Sequence, residues 1–176
     1  MSKNQEKLHF ELLNFIVNVG WTHKIHAVRI DELESYIRWF RIATIIISGV
    51  VSSGLVGILC FDEYWIKLVT AFLSLVTTII FSITKEFNFE ERLALERKSV
   101  DELWNLRVSA ENLLSEVVYN GKSSSEIQKS FEELKFRRDV AYGKLSNPSP
   151  KNISKASELI KSRKDNDYED DYKYFI

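Results

Sequence analysis

Two long segments without a charged residue constrain the fold of this chain more than any other feature of its sequence. They are 42–61, with 20 residues, and 68–84, with 17 residues. Because a helix rises 1.5 Å per residue, the first would be about 30 Å long, the thickness of a bilayer core. Its Ile, Val, Leu and Phe residues together contribute about −5 kcal/mol to the free energy of insertion. We therefore predict transmembrane helices at 42–61 and 66–84, joined by a short external loop at 62–65.

The average composition is that of a soluble domain, which makes two buried helices of a soluble bundle the alternative. The mean hydropathy is −0.16 and the formal net charge is −1. Core helices seldom run so far without a charge, because one of their faces usually meets water. We therefore prefer an all-α membrane hairpin with cytoplasmic helices. The balanced charge also argues against direct nucleic-acid binding.

Basic residues at the ends of the apolar segments predict how the hairpin is oriented. Seven lie within 15 residues outside the two segments, and only Lys67 lies near the loop; the seven are Arg29, Arg38, Arg41, Lys85, Arg92, Arg97 and Lys98. The positive-inside rule then places both termini in the cytoplasm, with the hairpin in the cytoplasmic (inner) membrane. Basic and aromatic side chains also anchor spans at the membrane–water interface. The expected anchors here are Arg38, Arg41, Tyr64, Trp65 and Lys85.

The flanking segments are predicted to be helical and cytoplasmic. In the N-terminal segment, 1–41, apolar residues recur every three or four positions, and Gly20 is expected to kink or break the helix. After the second span, 85–146 is predicted as a helical hairpin. Its first helix would continue from the span as one long rod that assists self-association as a coiled coil, and would end at Asn120-Gly121.

Local signals divide the remaining C-terminal sequence. Ser123 and Glu126 have the spacing of a capping box, which predicts the start of the second helix of the cytoplasmic hairpin. Asn147-Pro148-Ser149-Pro150 is expected to stop that helix. The rest, 147–176, is predicted as a linker, a short helix at 153–164 and an acidic, tyrosine-rich tail.

Small and hydroxyl residues recur at intervals of four inside the apolar segments. Gly49, Ser53 and Gly57 form a small-residue stripe that would let another helix approach closely. The second segment carries a row of hydroxyls at Thr70, Ser74, Thr78 and Ser82. These hydroxyls could bond to their own helix or across the hairpin. Alternatively, they could line a pore, which would require an oligomer because one hairpin cannot enclose a channel.

Motifs for catalysis or cofactor binding are absent from the sequence. It has no phosphate-binding glycine loop, no Cys-x-x-Cys and no Gly-x-Ser-x-Gly. His23 and His26 would share a helix face, but a metal site needs at least a third ligand. We therefore expect the two histidines to lie on an ordinary helix surface, and we predict no enzyme activity, no cofactor and no metal.

The layout resembles the SLATT domain family, whose members are two-transmembrane-helix effectors of bacterial conflict systems. The resemblance rests on a charged segment containing Trp21-Thr22-His23-Lys24 and Ala27-Val28-Arg29, then the tight hairpin, then a charged helix at 85–118, and it extends over about residues 10–145. It implies an effector that oligomerises and permeabilises the membrane when triggered, in an antiphage or abortive-infection system. The implied partners are the lipid bilayer, further copies of the chain and a separate sensor or activator protein. A non-conducting membrane scaffold or sensor that recruits a cytoplasmic partner is the alternative.

Overall fold

A computed structural model describes residues 3–60, 63–119 and 123–162, and within these ranges it contains helices and no strands. The predicted all-α class, with two long apolar helices, is confirmed. The five helices are α1 Lys3–Cys60, α2 Tyr64–Phe87, α3 Phe89–Tyr119, α4 Ser124–Tyr142 and α5 Pro150–Lys161.

Helix α1 is continuous over 58 residues, so the expected break at Gly20 is wrong. A glycine inside a helix costs only about 1 kcal/mol relative to alanine. Here the flanking apolar residues compensate for that cost, because Leu12, Phe15 and Val19 are all buried. Gly20 is buried as well, and it faces the Arg107 guanidinium of α3.

Helix α3 follows α2 directly, but the predicted single rod is divided at Asn88. This residue has φ 45° and ψ 48°, a left-handed conformation that asparagine tolerates better than most residues. The backbone N–H of Arg92 donates to the Asn88 carbonyl over 3.1 Å, so hydrogen bonding resumes immediately. The sequence carries no Gly or Pro at this point, and for that reason the interruption was not predicted.

One helix start in the C-terminal part is confirmed and another differs from the prediction. Ser123 and Glu126 form the predicted capping box at the start of α4. Helix α5 begins at Pro150, three residues before the predicted start at 153, because Ser149 and Asn152 form a second capping box and proline fits the first turn of a helix. The predicted helix end at Asn120-Gly121 and the acidic tail lie outside the described residues.

The chain divides into two compact units. One, called here the core unit, comprises Met1–Ile30 and Leu95–Ile176; the other, the hairpin unit, comprises Asp31–Ala94. The core unit is a helical bundle whose hydrophobic core comes from α1, α3 and α4, and α5 adds the buried Asn152 and Ala156. Leu12, Leu103 and Leu106 are fully buried, and the rings of Phe15 and Phe131 meet edge to face at 5.7 Å.

The hairpin unit has almost no buried residues, although it contains the most apolar sequence. Each of its two long helices passes the length and hydropathy requirements of a membrane span. None of the residues in the most apolar window of α1 is buried, and only 6% of those in the window of α2 are. A core helix of a soluble protein would bury most of such a window, so this exposure favours contact with lipid.

Candidate functional site

The contact between the two apolar helices follows a regular seam. In both α1 and α2 the least exposed positions recur at alternating spacings of three and four residues, the pattern of helices that pack at a shallow angle. The seam positions are Thr44, Ile47, Val51, Gly54 and Ile58 in α1, and Ile66, Thr70, Leu73, Thr77, Ile80 and Thr84 in α2.

Among the glycines of α1, Gly54 leaves the least room beside the second helix, where it faces Thr70. A Cβ atom placed on Gly54 would overlap the Thr70 hydroxyl and would also crowd the Thr70 Cβ and Cγ2, each at 3.4 Å. Thr70 is the one buried residue of α2. Three residues further along α1, a Cβ on Gly57 would meet Ile66 at 3.6 Å, which is ordinary contact. Gly54 therefore lets the two backbones approach, as small residues do between membrane helices.

The predicted small-residue stripe lies only partly on this seam. Gly49 is exposed, and a Cβ placed there would meet nothing within 4 Å. Ser53 is also exposed, and its hydroxyl donates to the Gly49 carbonyl over 3.0 Å. Of the three residues of the stripe, only Gly57, which lies beside Ile58 of the seam, faces the second helix. Because four residues make a little more than one helical turn, a row at this interval drifts by about 40° at each step and leaves the seam.

The hydroxyl row of α2 shows the same drift. Thr70 lies within the hairpin contact, whereas Ser74, Thr78 and Ser82 are exposed. The Thr78 hydroxyl donates to the Ser74 carbonyl over 3.0 Å, and the Ser82 hydroxyl donates to the Thr78 carbonyl over 2.9 Å. The Thr78 and Ser82 protons are therefore directed to the backbone, and the oxygens of these two exposed hydroxyls are still able to accept.

The predicted interface anchors lie at the two ends of the hairpin helices. Tyr64 and Trp65 begin α2, with ring centroids 6.3 Å apart, and each is 70% exposed. Arg38, Arg41 and Lys85 are exposed near the opposite ends of the apolar segments. This distribution is typical of spans, whose aromatic and basic residues lie at headgroup depth.

A buried polar cluster in the core unit was not predicted from the sequence. Its centre is the Glu96 carboxylate of α3, which accepts from the Nδ1 of His26 at 2.9 Å and the Nε of Arg29 at 3.0 Å, both from α1. The hydroxyl of Ser146, after α4, also donates to Glu96. Arg29 further donates to the Asn147 carbonyl over 2.6 Å. One carboxylate therefore links three parts of the core unit, namely α1, α3 and the segment after α4.

Opposing effects determine the protonation state of Glu96. Burial alone would raise its pKa, but the hydrogen bonds from His26 and Ser146, together with the charges of His26 and Arg29, outweigh that effect. The pKa of Glu96 is therefore lowered from its ordinary value of 4.5. An ionised carboxylate only accepts hydrogen bonds, so the His26 Nδ1 carries the proton in this contact. The cluster thereby links side chains of α1, α3 and the segment after α4.

The expectation that His23 and His26 lie on an ordinary surface is wrong for His26, which is 2% exposed. A sequence signal for this burial did exist. His26 lies seven residues after buried Val19, and Glu96 lies seven residues before buried Leu103, so both extend apolar stripes. His23 is half-buried beside Trp104, and its pKa is lowered by burial and by the charges of Arg107 and Lys24, against Asp101.

Among the residues that the structure describes, no group of three or more His, Cys, Asp or Glu side chains could hold a metal ion. In those same ranges, every buried side-chain nitrogen or oxygen has a hydrogen-bond partner. The arrangement instead provides an uncovered apolar hairpin with a row of hydroxyls, in addition to a helical core unit held by a buried carboxylate.

Comparison with protein families gives a match to the model described as "SMODS and SLOG-associating 2TM effector domain family 4", over residues 11–171. The match covers most of the chain. It extends beyond residue 145, where the resemblance was expected to end, and it includes all of α5. Comparisons with the curated proteins and with the solved structures give no match.

Proposed function

The chain belongs to the family of SMODS and SLOG-associating 2TM effector domains, and from this premise we propose that it permeabilises the cytoplasmic membrane as an oligomer when triggered. The proposed setting is a bacterial antiphage or abortive-infection system. The observation that carries the proposal is the exposed hydroxyl row of α2 on a hairpin that buries almost none of its apolar surface.

One hairpin by itself cannot form a pore. Two helices have no interior, so a water-filled path requires several copies of the hairpin. If the copies turn Ser74, Thr78 and Ser82 inward, hydroxyl oxygens face the path and accept hydrogen bonds from water, while the apolar faces remain in lipid. No catalytic step is needed for this activity. The proposed partners are lipid, further copies of the chain and a separate sensor or activator protein.

The proposed topology follows from charge. Arg38, Arg41 and Lys85 lie at the ends of the apolar helices that are distant from the loop between α1 and α2. Basic residues concentrate on the cytoplasmic side, so we place both termini and the core unit in the cytoplasm. There the core unit would be accessible to an activator.

Leakage from liposomes tests the proposal. We expect the purified full chain, with its activator if one is required, to release an encapsulated dye, and we expect Ser74→Leu and Thr78→Val together to reduce the release at least tenfold. Ser52→Leu is the matched control, because Ser52 is also exposed and also bonds to the fourth preceding carbonyl, that of Ser48, but lies on α1. Equal release by the double variant and the wild type would exclude the row as a pore lining.

A second candidate function is a membrane-anchored scaffold that recruits a cytoplasmic partner without conducting ions. The observation in its favour is that the Thr78 and Ser82 hydroxyls already bond to their own helix, so they can face lipid at little cost. This function predicts no dye release at any protein density. It also predicts that activity persists in cells when 42–84 is replaced by an unrelated two-span anchor, an exchange that the pore function would not tolerate.

A further inference from the structure

A groove opens on the hairpin unit where its two apolar segments end. One wall is formed by residues of α1 in the range 37–45, and the other by residues in the range 81–90, from the end of α2 and the start of α3. The cavity volume is about 490 Å³, within the roughly 300–1,000 Å³ that is usual for small-molecule sites. The proposed pore function makes no use of this groove.

The polarity of the groove changes from one end to the other. At the end that lies within the apolar segments, Ile45 and Phe81 are each 65% exposed. At the other end lie the first charged residues beyond those segments, Arg41 and Lys85. The site thus offers apolar surface at bilayer depth and cations at headgroup depth, which is the polarity profile of a phospholipid.

The charged end is free to accept a new anionic partner. Arg41 Nη2 lies 3.2 Å from Glu90 Oε1, but both side chains are largely exposed, and such pairs contribute little to stability. Lys85 forms no ion pair with any residue that the structure describes. A guanidinium binds two phosphate oxygens at once, which a single exposed carboxylate partner does not prevent. Two cations and one carboxylate leave the lining of this end net positive.

We propose that this groove binds one anionic phospholipid, with its phosphate between Arg41 and Lys85 and part of an acyl chain along Ile45 and Phe81. Basic pockets between membrane helices on the cytoplasmic side are known to hold anionic headgroups. The phosphate group could also come from a soluble phosphate compound, which would occupy the cationic end of the groove but leave the apolar end empty. Dependence of binding on the apolar end therefore distinguishes a lipid from a soluble ligand. The proposal holds whether or not the assembly conducts ions.

Native mass spectrometry of the full chain in non-ionic detergent tests this site. Phosphatidylglycerol is titrated against the chain, with phosphatidylcholine and glycerol 3-phosphate as separate arms. Each basic residue near an anionic headgroup is worth roughly a factor of five in affinity. We therefore expect Arg41→Gln and Lys85→Gln each to weaken phosphatidylglycerol binding about fivefold, and the double variant about 25-fold. Arg38→Gln, which removes a similar charge three residues before Arg41 from a side chain that does not line the groove, should leave the affinity unchanged.

A second variant tests the apolar end without changing any charge. Ile45→Ala together with Phe81→Ala removes apolar side-chain surface from the groove at two exposed positions outside the seam, and we expect it to reduce phosphatidylglycerol binding while the melting temperature is maintained. Unchanged binding in this variant or in the double charge variant would overturn the site. Equal binding of phosphatidylcholine would overturn the requirement for an anionic headgroup. Competition by glycerol 3-phosphate at the affinity of the lipid would show that the ligand is a soluble phosphate compound.

Discussion

At the scale of single residues, two contacts specify the packing of the two units. In the hairpin unit, Gly54 makes room for the Thr70 side chain of the second apolar helix. In the core unit, the Glu96 carboxylate accepts from two side chains of α1 and one that follows α4. We expect both positions to tolerate little change, because a Cβ on Gly54 would overlap Thr70 and Glu96 is buried among its partners, whereas a Cβ on exposed Gly49 would meet nothing within 4 Å.

The hairpin contact predicts opposite results for two glycines in the same helix. Gly54→Ala should destabilise the hairpin by about 1–3 kcal/mol, because the new methyl group overlaps the stiff, β-branched Thr70. Gly49→Ala should be neutral or slightly stabilising, since its methyl group meets nothing. Unfolding of the purified protein in detergent measures both. Adding Thr70→Ala to Gly54→Ala should recover most of the loss, and a failure to recover it would contradict the proposed contact.

The buried carboxylate predicts a specific dependence of stability on pH. Because the pKa of Glu96 is lower in the folded chain than its ordinary 4.5, its contribution is fully present above pH 4.5. That contribution is lost as the pH falls through the lower, folded value. Glu96→Gln should therefore destabilise the protein near neutral pH by about 2–3 kcal/mol, leaving Arg29 without its charged partner.

Thermal melts between pH 3 and pH 8 measure this effect. The gap in melting temperature between wild type and Glu96→Gln should be constant above about pH 5 and should narrow at lower pH. Glu102→Gln is a suitable control, because its carboxylate lies on the same helix but makes only a partly exposed ion pair with Lys144, at 3.7 Å. If the difference in melting temperature between wild type and Glu96→Gln stays constant down to pH 3, this would argue against an ionised Glu96 in the buried polar cluster.

At the scale of elements, the long helices are determined more by what packs beside them than by local sequence preference. Helix α1 passes through Gly20 because apolar residues on both sides are buried against the core unit. Helices α2 and α3 are separated at Asn88, which lies at an exposed position where burial does not hold the backbone in a helical conformation. The hydroxyl row illustrates a geometric rule, since residues four apart cannot stay on one face of a straight helix for long.

The continuity of α1 makes Gly20→Ala a stabilising change. An added Cβ would lie 3.7 Å from the Arg107 guanidinium, which is ordinary contact, and alanine favours a helix over glycine by about 1 kcal/mol. We expect the melting temperature to rise by several degrees. Gly143→Ala is a useful comparison, because Gly143 lies just after α4, outside any helix interior. A lower melting temperature for Gly20→Ala would indicate that the helix is broken there after all.

At the scale of the whole molecule, the chain combines one unit that buries its apolar residues with another that exposes them. The core unit buries its apolar residues internally and pairs its buried carboxylate, as a water-soluble bundle does. The hairpin unit leaves its apolar residues uncovered, so its apolar surface is open to contact with lipid. An average over both units resembles a soluble protein, which is why the mean hydropathy is uninformative here.

The proposed topology can be tested with single cysteines in a Cys60→Ser background. Asp62→Cys, in the loop between the spans, should react with a membrane-impermeant maleimide in intact bacteria whose outer membrane has been permeabilised. Ser125→Cys, exposed at the start of α4, should react only after the inner membrane is opened. The reverse pattern would invert the topology, and with it the placement of the core unit in the cytoplasm.

The all-α class, the two apolar helices, the helix start at Ser123 and the family resemblance could be predicted from the sequence alone. These features are local, because they depend on the run length of apolar residues, capping chemistry and the order of segments. The all-α class and the family are confirmed. The extent of the match to residue 171 could not be anticipated, since the last helix carries no distinctive motif.

Only the tertiary structure decided which residues face each other. Gly54 rather than Gly49 meets the second helix, since the seam follows spacings of three and four rather than four alone. Glu96 and His26 meet although 70 residues separate them in the chain, and only the packing of α3 against α1 makes that pair. The physical reason is common to both cases: a sequence records the period of each helix, but the rotation of one helix about its axis relative to another is set when their side chains pack.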